Sequence, residues 1–155
     1  MVKHMQSTAI QAATTVNVDI VQARQWFVDL ETHPERYQFE THAGFAFDEG
    51  RFGQVSARFH THERFYGLRL TLHFKVVESQ DQIFRFRLIR PPLPVWGAFI
   101  IKVADSGTTD LRLEVGGTTR LGLWFLQLPL VKGAIQRQIQ GEVRHIKASM
   151  EKLAS

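Results

Sequence analysis

The chain alternates apolar and polar positions through most of its length and changes to a helical period near its end. After Pro129, the residues Val131, Ile135, Ile139, Val143, Ile146, Met150 and Leu153 recur at steps of three and four, one stripe of an amphipathic helix. Lys132, Arg137, Arg144, Lys147 and Glu151 occupy the other side. Such a helix cannot bury its stripe alone, and residues 8–121 offer it a surface built from strands.

Ile10, Ala12, Thr14, Val16 and Val18 share one side of a first strand over 8–19. Asp19 is placed to cap a short helix, Val21 to Leu30, with Trp26, Phe27 and Leu30 inward. Thr32 to Tyr37, with Pro34 near its start, allows a second short helix. Phe39 to Asp48 reads as a strand with Phe39, Thr41, Ala43, Phe45 and Phe47 in phase. Glu49 to Gly53 turns into a strand from Gln54 to Phe65, which Tyr66-Gly67 joins to Leu68–Glu78. Ser79 to Gln82 leads into Ile83–Arg90, and Pro91, Pro92 and Pro94 mark a rim where the sheet is interrupted. Val95–Val103 and Leu111–Leu121 form a last hairpin through Asp105-Ser106-Gly107.

Phasing these strands puts Phe59, Phe65, Leu70, Leu72, Phe74, Phe84, Phe86, Leu88, Phe99, Ile101, Leu113 and Val115 on one apolar face. Against it the C-terminal helix would set Trp124, Leu128, Ile135, Ile139 and Val143. Filled solid, this is a core; left partly open, it is a pocket lined with rings. Composition favours neither but names the material, with twelve Phe against three Trp and two Tyr. The 155 residues suit one domain, taken as 8–153, while 1–7 read as a flexible N-terminus or a cloning remnant. Without cysteine there are no disulfides, thiolate metal sites or Cys nucleophile. No apolar run is long enough for a spanning helix and no secretory pattern is found, so a cytoplasmic protein is expected.

The order strand, two short helices, antiparallel meander and long C-terminal helix resembles the helix-grip fold of the START and birch-pollen-allergen-like superfamily. Three stretches carry the resemblance: Val21 to Leu30 followed by His33-Pro34 and Tyr37, the hairpin Arg64 to Glu78, and Leu126 to Lys132 running into the helix. The chain looks most like the polyketide cyclase/dehydrase and lipid-transport group, also called SRPBCC. The resemblance implies an α+β fold, with a curved antiparallel sheet wrapped around the long helix and an apolar cavity between them. It also implies a lipid, sterol, quinone, polyketide or plant hormone as ligand, and in some members cyclisation or dehydration.

Within the expected cavity, Phe59, Phe65, Leu72, Phe74, Phe86, Phe99, Trp124, Ile135 and Ile139 would form the wall, with Thr61 and Glu63 selecting a polar end of the ligand. Glu63 is in phase with Phe59, Thr61 and Phe65, so alternation points its carboxylate inward, where it would be desolvated and serve as general acid or base. A bend near Tyr66-Gly67 would instead carry it to the rim. Tyr66 could assist. Binding module, cyclase-type enzyme and filled structural domain all remain open.

On the opposite face, a two-residue Tyr66-Gly67 loop sets His60 opposite His73 with His62 alongside. No carboxylate is expected in that cluster, and no metal is assigned to it. Arg58, Arg64, Arg69, Lys75, Arg85, Arg87, Lys102, Arg112 and Arg120 fall on this face, with Glu114 the only acid in phase. They would suit an anionic membrane surface. Nucleic acid is disfavoured, because aromatics that stack on bases are missing there. No phosphate-cradling glycine loop, nucleophile triad or zinc-protease helix occurs, so no cofactor is expected.

Overall fold

The computed structural model describes residues 7–40 and 42–155. Its elements in chain order are β1 Ser7–Val16, α1 Ile20–Val28, β2 His42–Glu49, β3 Arg58–Phe65, β4 Leu68–Gln80, β5 Ile83–Arg90, β6 Val95–Val103, β7 Thr109–Gly117, α2 Arg120–Gln127 and α3 Pro129–Ala154. The strands form a sheet in the order β1-β7-β6-β5-β4-β3-β2, every neighbouring pair antiparallel. This is the expected α+β arrangement, a curved sheet around a long C-terminal helix.

Local chemistry explains several boundaries. Asp19 accepts from the Gln22 amide at 2.8 Å while the Gln22 side chain accepts from the Asp19 N–H at 3.3 Å, closing a capping box on α1. The segment after α1 continues as 3-10 turns at Asp29–Glu31 and Pro34–Tyr37. Tyr66 and Gly67 both take positive φ, 50° and 80°, so the two-residue turn fixes Phe65 opposite Leu68 and His60 opposite His73 as the sequence requires.

The first strand stops at Val16, three residues short of the expected end, because Asp19 begins the capping geometry. A bulge at Ala43 slips β2 by one position, so His42 pairs with Glu63 and is buried while Ala43 is exposed. The proposed phase of Phe39 and Ala43 is thereby broken; the inward placement of Thr41 lies outside the described residues. β7 ends at Gly117 and not at Leu121, since Thr119 caps α2 through the Gly122 amide at 3.2 Å. Gly117 and Gly122 let α2 lie directly on the sheet end: a Cβ on Gly122 would fall 2.1 Å from the Pro94 carbonyl oxygen. The expectation for residues 1–6 lies outside the described residues.

α3 covers the free edge of β1 as well as its face. Gln136 donates to the Gln11 carbonyl at 3.0 Å, Lys147 donates to the Thr15 carbonyl at 2.8 Å, and Glu151 accepts the Asn17 amide at 2.8 Å. The edge groups that would invite another chain are partly satisfied in this way. Trp26 Nε1 donates to Ser149 Oγ at 2.9 Å and ties α1 to the same helix.

The phenylalanines form two sets that share Phe99. Phe27 of α1 packs on Phe52, Phe84 and Phe99, with Phe27–Phe99 centroids 4.8 Å apart and Phe52–Phe84 5.3 Å apart, and together they fill that end of the sheet. Toward the other end of the sheet, the first half of α3 leaves space over the strands, closed at one side by α2.

Candidate functional site

That space is a cavity of about 460 Å³ between the inner face of β3–β7, α2 and the first half of α3. Its apolar wall includes Phe59, Phe65, Leu72, Phe74, Phe86, Phe99, Ile135 and Ile139, all named from the alternation of the strands and the period of the helix. Phe59 is 5.3 Å from Phe86 and 5.1 Å from Phe74 between ring centroids, so the wall is a continuous sheet of rings.

Trp124 is a correction. It sits on α2 with 61% of its surface exposed and does not line the cavity, whereas its neighbours Phe125 and Leu126 do. The cap at Thr119 starts a new helix, and its 100° rotation per residue turns Trp124 outward as Phe125 and Leu126 turn in.

Thr61 and Glu63 lie in the cavity wall, both buried. The strand does not bend before Phe65, so alternation keeps Glu63 inward. Thr61 Oγ1 donates to Glu63 Oε2 at 2.5 Å. Burial drives the Glu63 carboxyl well above the usual carboxylate range, and the Thr61 hydrogen bond only partly offsets it.

Sequence reasoning missed the residues that face Glu63. Glu142 of α3 is 7% exposed and accepts a hydrogen bond from the Tyr37 hydroxyl. Its carboxyl is raised by burial and next by the charge of Glu63, with the Tyr37 hydrogen bond pulling the other way. Tyr37 is itself raised, first by burial and then by Glu142. Gln138, one turn earlier on α3, is buried beside Glu142 with its side-chain nitrogen lacking a well-aligned partner. His42 is held neutral, pushed down to about 4 by burial; its Nδ1–H donates to the Tyr37 carbonyl at 2.6 Å, which leaves Nε2 as an acceptor. All four line the cavity.

A signal for two of them was present. Gln138 and Glu142 stand three residues after Ile135 and Ile139, polar interruptions within the stripe that is otherwise buried. His42 had none, because the bulge that turns it inward leaves no trace in alternation.

The arrangement therefore has an apolar barrel and one polar end, where Glu63 of the sheet and Glu142 of the helix line the same cavity and the charge of Glu63 acts on Glu142. Two desolvated acids that interact cannot both ionise near neutrality, so one holds a proton while the other can accept one. His42 Nε2 and the Gln138 amide add an acceptor and a donor to the same end.

The outer face differs from expectation in two ways. Glu114 is not its only acid: a bulge between Val76 and Glu78 brings Glu78 against Arg85 at 3.0 Å, and Arg85 also lies 4.5 Å over the Trp96 ring. Arg112 pairs with Glu114 at 3.1 Å, and Arg120 belongs to α2. A carboxylate also joins the histidines, since Asp48 Oδ1 lies 2.8 Å from His60 Nδ1 and Asp48, His60 and His73 present ligand atoms within 4.8 Å of one another. His62 instead bonds Thr71 at 2.9 Å. Lys75 opposite Arg58, and Arg90 opposite His73, surround the cluster with positive charge that opposes a cation.

No protein-family model matches the sequence and no curated protein matches it. Solved structures do. The Zhui aromatase/cyclase from a Streptomyces species is 12% identical at a TM-score of 0.74, covering 94% of each chain. A START superfamily protein from Mycobacterium smegmatis is 13% identical at 0.70, covering 95% of this chain and 99% of its own. Ara h 8.0201 is 13% identical at 0.66, covering 94% and 97%. Sharing its fold with these structures over nearly its whole length, the chain has the START and birch-pollen-allergen-like helix-grip fold.

Proposed function

We propose that this is a cytoplasmic protein that holds a small, largely hydrophobic molecule, such as a lipid, polyketide or quinone-like compound, between sheet and C-terminal helix. The observation that carries this reading is the cavity of about 460 Å³, a volume within the range of small-molecule sites and walled mostly by aromatic and aliphatic side chains. Affinity would come from apolar burial at roughly 25 cal/mol per Å², less the cost of ordering the ligand. Thr61, Glu63, Gln138 and Glu142 would orient a polar end. Native mass spectrometry of protein purified under non-denaturing conditions tests the idea, followed by titration of a fluorescent apolar probe into Phe86→Ala and Phe99→Ala. Unaltered probe affinity in both variants would remove these rings from the binding wall.

A second reading, a cyclase- or dehydrase-type enzyme, is favoured by one specific feature, the opposition of Glu63 and Glu142 at the polar end. In it Glu142, hydrogen-bonded by Tyr37, delivers a proton to a carbonyl or departing hydroxyl while Glu63 removes one from carbon. The resemblance in fold to a structure named an aromatase/cyclase supports the same class. Glu63→Gln and Glu142→Gln would each abolish turnover of a polyketide-like substrate without loss of binding; full activity in either eliminates the mechanism.

A further inference from the structure

The exposed apolar side chains are not spread evenly. Of the eleven large hydrophobic residues exposed among those described, seven belong to the segments around one end of the cavity. Tyr66, Leu68 and Leu70 form the tip of the β3–β4 hairpin, Leu93 lies in the proline segment, Leu121 and Trp124 face out from α2, and Leu130 opens α3. These segments are neighbours: the Tyr66 hydroxyl donates to the Leu130 carbonyl at 3.0 Å, Gly122 packs on the Pro94 carbonyl, and Tyr66, Leu70, Leu93 and Leu130 all line the same cavity. They form a rim around its mouth.

The charge of the rim is one-sided. The stretches 64–70, 90–95 and 118–137, which build it, contain six Lys or Arg and no Asp or Glu, although the whole chain has fifteen acids. Arg64 and Arg69 flank the hairpin tip, Arg120 precedes Leu121, and Lys132 follows Leu130 by two residues; all four are exposed. Arg137 holds the hairpin to α3 by donating to Tyr66 Oη at 2.9 Å. An apolar patch ringed by cations without acids is costly to leave in water and complementary to one surface in particular, a bilayer with anionic headgroups. No helix among the described residues is long and apolar enough to cross a membrane, so contact would be interfacial.

We propose that the protein docks on anionic membranes through this rim, with Leu68, Leu121, Trp124 and Leu130 entering the headgroup layer and Arg64, Arg69, Arg120 and Lys132 meeting lipid phosphates and carboxylates. This moves the membrane-facing surface from the outer face of the sheet to the mouth of the cavity. The inference rests on the cavity reading only for the cargo; docking itself can be measured on the unliganded protein. If an apolar molecule occupies the cavity, its path leads directly into the bilayer.

Trp124 supplies the test. Trp26 and Trp96 are buried at 3% and 2% exposure, so the emission that responds to solvent comes from Trp124. The full chain is mixed with phosphatidylcholine vesicles with and without phosphatidylserine, and partition is read by flotation together with Trp emission and quenching by brominated lipid. Expected are partition to the anionic vesicles that weakens with salt, a blue shift, quenching, and loss of the shift in Trp124→Phe. Leu68→Glu and Leu121→Glu, both exposed and outside the cavity wall, should weaken partition at least fivefold with apolar-probe affinity unchanged; Val103→Glu, at the other end of β6, should not weaken partition. The proposal is overturned by absence of partition, by partition that leaves Trp124 emission unaltered, or by a shift that follows protein concentration without vesicles, which would make the rim a contact between copies of this chain. Failure here with intact probe binding leaves the cavity reading standing, and loss of probe binding alone leaves docking standing.

Discussion

Tyr37 donates its phenolic hydrogen to Glu142 across the polar end of the cavity, joining the 3-10 turn after α1 to the middle of α3. Both residues are buried, so the contact gives a desolvated carboxyl a hydrogen-bond partner within the protein. The ring of Tyr37 stacks on His42 at 4.3 Å and on Phe45 at 5.1 Å, which makes the same side chain a packing element for β2.

The acid pair should make stability fall as pH rises. Burial raises Glu63 to about 7 and Glu142 to about 8, so the folded state holds protons that the unfolded chain releases near pH 4.5. The stability they contribute is full below the unfolded value and is lost as pH rises through the folded values. Glu142→Gln, which keeps an acceptor for Tyr37, should flatten the upper part of this profile and leave the variant more stable than the parent at alkaline pH. Urea midpoints across that range measure it; a parent equally stable at both ends would contradict the assignment.

Core and wall rings should separate in their effects. Phe52 is fully buried in the packed cluster and does not line the cavity, while Phe74 lines it and is half-buried. Phe52→Ala should cost about 3–5 kcal/mol of stability and leave probe affinity nearly unchanged. Phe74→Ala should cost less stability and weaken the probe roughly tenfold. Paired denaturation and fluorescence titrations decide, and the reverse order would mean that the two sets have been misassigned.

Asp19→Ala should destabilise the fold by about 1 kcal/mol through the lost cap of α1, while Asp19→Asn, which retains an acceptor, should recover most of it. Equal losses in both would point to charge, not capping, as the contribution.

Gly122→Ala should be poorly tolerated despite the exposed residues beside it. Its Cβ would stand 2.1 Å from backbone at Pro94, so α2 must move off the sheet end, with a cost of at least about 1–3 kcal/mol. A thermal melt matching the parent would show that α2 is free to shift.

Apart from α2, the element order, together with the Tyr66-Gly67 register, the apolar face and the inward aim of Glu63, could be read from the chain, because each follows from a period of two or of 3.6 or from a turn residue two positions away. Three things could not. The bulges at Ala43 and before Glu78 change which side chains face which way, bringing His42 to the cavity and Glu78 to Arg85, and a one-residue slip has no periodic signature. The cap at Thr119 turned an expected strand end into α2 and carried Trp124 outward, a local contest between strand and helix settled by packing of Gly122 on Pro94. The coupling of Glu63 to Glu142, and the choice between a filled core and a cavity, depend on how far α3 stands from the sheet. Local patterning determines which faces are apolar, and only the full set of packed elements decides what distance separates them.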